Sequence, residues 1–127
     1  MVTYEYALDA GYILIRRAGA DAPAEIEVLL HELARDAILT PGARLLIDVR
    51  ESAHPWTVRQ LDAVVPAFRL LAGRGVSAIA IVADADVAYG MARILAVHLD
   101  THGLEARVFR ALEPAEQWLE QTGTSKP

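Results

Sequence analysis

Two stretches of this chain are apolar with no alternation, Leu45-Leu46-Ile47 leading into Asp48-Val49, and Ala78-Ile79-Ala80-Ile81-Val82-Ala83. A strand with one face in water alternates apolar and polar residues. An unbroken apolar run requires cover on both faces, as in parallel sheets layered with helices. The segment between the two runs has a helical period: Thr57 is placed to cap a helix whose stripe is Val58, Leu61, Val65, Phe68 and Leu71, and Gly73 and Gly75 end it. Strand, helix and strand of this length make a parallel crossover, which is right-handed in a twisted sheet. An α/β sandwich follows.

The rest of the chain adds to this unit. Val2, Tyr4, Tyr6 and Leu8 alternate, Asp9-Ala10-Gly11 is a turn, and Tyr12 to Arg17 is a second strand, so residues 1–17 are predicted to form an antiparallel hairpin. Ile26, Leu29, Leu30, Leu33 and Ala37 predict a helix broken by Thr40-Pro41-Gly42. Pro66 predicts a bend dividing its helix in two. Asp84 or Asp86 is expected to cap a third helix carrying Val87, Met91, Ile94, Leu95 and His98 on its inner side. Leu104 to Arg110 is a last strand, and a short helix beginning at Glu113-Pro114 presents Ala115, Trp118 and Leu119. One domain over residues 1–121 is expected, with a frayed tail over 122–127.

Composition excludes several classes of function. At 127 residues, 54% hydrophobic and 23% charged, the chain is too apolar to be disordered. Cysteine is absent, which removes disulfides, thiolate nucleophiles and iron–sulfur ligands. The net charge is −5, and eleven arginines with one lysine, Lys126, form no basic run, so nucleic acid is not an expected partner. Neither a transmembrane segment nor an N-terminal targeting pattern is evident, and a cytoplasmic protein is expected. Of the four histidines, His98 and His102 stand four apart, but no His-Glu-x-x-His motif or third ligand accompanies them. No metal or cofactor is expected.

In an open α/β sheet the ligand crevice lies beyond the carboxyl ends of the strands. Here that means Asp48 to Thr57 and Asp84 to Gly90. Asp48 is read as an acceptor of backbone N–H bonds after its strand, Asp84 and Asp86 as helix-start acids, and His54 as a loop histidine. Gly90 within a helical pattern suggests close approach of another backbone or a ligand. No nucleophile–base arrangement and no phosphate loop is present, so the expectation is a binding protein and not an enzyme.

Leu45-Leu46-Ile47-Asp48-Val49-Arg50, Tyr89-Gly90-Met91-Ala92-Arg93, Val108-Phe109-Arg110 and Ala115-Glu116-Gln117-Trp118-Leu119 together resemble the SpoIIAA-like proteins of the STAS/SEC14-like fold group. The resemblance implies a mixed sheet of about five strands with an N-terminal antiparallel hairpin and about four helices, packed mainly on one side. Its SEC14-like side implies a small apolar or lipid-like ligand held between sheet and helices, with Asp48, Arg50, His54, Trp56, Phe68, Tyr89 and Met91 as ligand-binding residues. Its STAS side implies the alternative, a regulatory module that docks a protein partner or its own copy. Thr57 then stands where a serine is phosphorylated in anti-sigma-factor antagonists, but Trp56 and Val58-Arg59 depart from the Asp-Ser-Ser-Gly-like pattern, and a helix N-cap is the preferred reading.

Overall fold

The computed structural model describes residues 2–7, 11–19, 24–53 and 56–124. The chain runs β1 (Val2–Ala7), β2 (Tyr12–Gly19), α1 (Glu25–Ala34), β3 (Arg44–Ser52), α2 (Val58–Gly73), β4 (Ala78–Val82), α3 (Asp86–Thr101), β5 (Glu105–Phe109) and α4 (Leu112–Thr124). The five strands lie in sequence order, β1 antiparallel to β2 and every later neighbour parallel. The predicted mixed sheet with an opening hairpin is therefore present. As the unbroken apolar runs require, Leu45 to Ile47 and Ile79 to Ala83 are fully buried.

The sheet has two unequal covers. On one side Ile13, Ile15, Leu45, Ile47, Ile79 and Ile81 pack with α1, α2 and α3 around Leu30, Leu33, Phe68 and Leu95. On the other, Tyr12, Leu46, Ala80 and Val82 pack beneath Ala115, Trp118 and Leu119 of α4. The split follows the period of two along a strand. It also decides which way Asp48 and Arg17 belong: Asp48 shares the parity of Leu46, Arg17 that of Ile13 and Ile15.

Several local expectations are corrected. Helix α1 stops at Ala34, and Ala37 is exposed outside it. Asp36 ends the helix, its Oδ1 accepting the Ile38 N–H at 3.0 Å in a local turn. Pro66 does not divide α2, which is one helix from Val58 to Gly73; its inner face is Leu61, Val64, Ala67, Phe68 and Leu71, leaving Val58 exposed and Val65 half-buried. Neither Asp84 nor Asp86 caps α3: the N-cap is Ala85, which makes no side-chain cap.

Helix α3 buries Ala92, Leu95, Ala96 and Leu99, leaving Val87, Ile94 and His98 exposed. Two alanines share the buried face with Leu95 and Leu99 while Val87 and Ile94 face water, so apolar side chains lie on both sides of the helix. Gly90 is exposed, and a Cβ built on it would meet nothing within 4 Å, so no other backbone among the described residues approaches it closely. Gly75 does have a structural requirement: its φ is +95°, and a Cβ would fall 2.8 Å from the Pro41 Cα. At the other end of the chain α4 continues through Thr124, and within it Thr122 donates its hydroxyl to Leu119 O at 2.7 Å. Residues 125–127 lie outside the described residues.

Candidate functional site

The parallel strands β2, β3 and β4 end along one rim, and α3 begins there. A cavity of about 130 Å³ opens at that rim, lined by Arg17 from β2, by Val49, Arg50 and Ser52 from β3, by Ala53 and Trp56 in the loop that follows, and by Asp84, Ala85, Val87 and Ala88 at the start of α3. Its position is that expected for a crevice in an open α/β sheet. Strand β3 continues as far as Ser52, so the segment beginning at Arg50 is strand before it is loop.

Trp56 is only 4% exposed, and the guanidinium of Arg17, a residue 3% exposed, lies over its ring at 5.5 Å from the centroid. Arg17 is a cavity-lining residue that the sequence alone did not reveal. A signal existed in strand parity, which puts Arg17 on the face of Ile13 and Ile15, but the adjacent Arg16 obscured it, and the register of β2 against β3 shifts between Arg16 and Ala18.

Asp48 does not line the cavity. It is buried and braces Arg50: Oδ1 accepts the Arg50 backbone N–H at 3.1 Å and Nε–H at 3.0 Å, and Oδ2 accepts from Nη2 at 2.9 Å. Burial alone would raise the Asp48 pKa, but the side-chain and backbone hydrogen bonds and the charge of Arg50 outweigh it and hold the carboxyl below its ordinary value. The same pairing raises the pKa of Arg50. The backbone acceptor role expected of Asp48 is thus present, joined by a bidentate grip on a guanidinium that faces the cavity.

The remaining predicted residues separate. Phe68 is fully buried in the core, away from the cavity lining. Met91 and Tyr89 are half-buried against the same core. Tyr89 lies under the Arg110 guanidinium, 4.2 Å from its ring centroid, and lines a different depression with Arg93, Asp100 and Arg107. His54 lies outside the described residues. Thr57 closes a capping box: its Oγ1 accepts the Gln60 N–H at 3.2 Å, and Gln60 Oε1 accepts the Thr57 N–H at 2.9 Å. Asp86 is exposed and pairs with Arg110 at 2.7 Å. Among the described residues no group of three or more histidines, aspartates or glutamates is placed to hold a metal ion.

No family model matches the sequence, and no curated protein matches it. Among solved structures the chain is similar to an uncharacterized DUF3478-family protein of SpoIIAA-like fold from Shewanella loihica PV-4, with a TM-score of 0.58 and 20% sequence identity over 94% of this chain and 92% of the other. The architecture is thereby placed: the chain has a SpoIIAA-like fold. No helix among the described residues is long and apolar enough to cross a membrane.

Proposed function

We propose that this protein is a non-catalytic binding module whose ligand is a small amphipathic molecule seated at the rim of the sheet between Trp56 and the start of α3. The observation that carries this reading is the lining of the cavity, where the guanidinium groups of Arg17 and Arg50 meet the apolar surfaces of Trp56, Val49, Val87 and Ala88. Ligand sites are mostly apolar with a few polar groups that fix orientation. The cavity volume of about 130 Å³ favours a short ligand over a long acyl chain. The space between sheet and helices, where a lipid-like chain was expected, is filled by Phe68, Leu95 and their neighbours. A binding role is preferred to a catalytic one because Asp48, the obvious acid–base candidate, is held ionised by Arg50. Native mass spectrometry of protein purified from its source tests the reading: a bound small-molecule mass is expected, and clean apo protein with no thermal shift across a panel of small acids, alcohols and amides would count against it.

One observation favours the alternative, a STAS-type regulatory interaction module. Val87, Ile94 and Val97 are exposed along α3 at a spacing that puts them on one side of the helix. Sedimentation of wild type and Ile94→Asp separates the two: a concentration-dependent association lost in the variant supports a docking face, and an unchanged monomer removes it.

A further inference from the structure

We propose that the ligand of the rim cavity is a small organic carboxylate, a monoanion whose oxygens meet donors from Trp56, Arg50 and the start of α3 while its short apolar body lies against the indole and Val87. The inference rests on the binding-module reading above and adds the chemical class.

Three groups of residues that line the cavity carry hydrogen-bond donors. Trp56 lines it, and the buried indole Nε1–H of Trp56 has no hydrogen-bond partner among the described residues. A donor buried in this way is costly to leave unmade, and an oxygen arriving with a ligand would satisfy it. Helix α3 begins against the same space through Ala85, Val87 and Ala88, with no side-chain cap on its first N–H groups. Its first-turn acid, Asp86, is paired with Arg110. Uncapped first-turn N–H groups favour an anion. Arg50 supplies the third set. Its Nε and Nη2 are engaged by Asp48, and a guanidinium has further N–H donors on Nη1.

The walls of the cavity select among oxyanions. The apolar walls from Val49, Trp56, Val87 and Ala88 suit an organic group attached to that charge, and a bare inorganic anion would leave them uncovered.

The test uses the indole N–H signals in a ¹H–¹⁵N correlation spectrum, with benzoate as the probe and benzamide as its neutral counterpart. Trp118 packs on the opposite side of the sheet and serves as the internal reference. Benzoate is expected to shift the Trp56 indole and the Val87 and Ala88 amides saturably, leave Trp118 in place, and bind at least tenfold more tightly than benzamide. Equal shifts from benzamide would overturn the carboxylate inference and leave the binding module standing. Shifts from inorganic phosphate as large as those from benzoate would overturn the organic class. No shift at Trp56 from any of the three would remove the inference and count against the binding reading itself.

Discussion

The Arg17 guanidinium carbon lies 5.5 Å from the centroid of the Trp56 ring, joining the end of β2 to the loop after β3. A planar cation stacked on an indole in a dry site is worth up to about 2 kcal/mol. Arg17→Lys keeps the charge and loses the plane. It is expected to lower stability by about 1 kcal/mol in urea unfolding, and an unchanged midpoint would mean that the stacking contributes nothing.

Thr57 and Gln60 satisfy each other's backbone N–H groups at the start of α2. Thr57→Ala is therefore expected to cost about 1 kcal/mol, while Thr57→Ser or Thr57→Asp, which keep an acceptor oxygen, should be nearly neutral. Chemical denaturation of the three variants checks this ranking. A phosphopeptide containing Thr57 from the native host would show that the residue is also a switch.

Asp48 and Arg50 couple stability to acid. The folded-state pKa of Asp48 is lowered, so its contribution is fully present above the ordinary value of 3.8 and is lost as pH falls through the lower folded value. Asp48→Asn should cost about 2 kcal/mol near neutrality, since it replaces charge-assisted bonds to a guanidinium. The difference from wild type should shrink on acidification below pH 3.8, read from unfolding midpoints as a function of pH.

Two tyrosines should resist alkaline titration. Tyr4 donates its hydroxyl to Asp36 at 2.6 Å, and that bond, with burial and the carboxylate charge, pushes its pKa up to about 12. Tyr12 reaches about 12 through burial first and then its bond to Glu116 at 2.7 Å. Raised folded values mean that this stabilisation is complete below pH 10.0 and is lost as pH rises through about 12. Ultraviolet titration of Tyr4→Phe and Tyr12→Phe should each remove one late-titrating phenol.

Much of the fold was legible because burial leaves a plain mark on strands. Leu45 to Val49 and Ala78 to Ala83 could be nothing but central strands, and the short link between β1 and β2 forced an antiparallel pair. Helix faces were harder to read. In α3 Val87, Ile94 and Val97 face water while Leu95 and Leu99 share the buried face with Ala92 and Ala96, so apolar side chains on both sides blur the helical stripe. The candidate site was half legible: Arg50 and Trp56 follow from the position of strand ends, but Arg17 depends on strand parity through an irregular register. Phe68 was misplaced because a core side chain and a pocket side chain have the same helical spacing.

The central claim is that the rim between Trp56 and α3 is where a ligand sits, and Val87→Phe tests it most directly. Val87 lines the cavity yet is 66% exposed, so a larger ring there crowds the cavity with little strain on the core. Its unfolding free energy should stay within about 0.5 kcal/mol of wild type. Titration calorimetry with benzoate should show measurable binding to wild type and at least a tenfold loss in Val87→Phe. Equal affinity for benzoate in the two proteins would contradict the account.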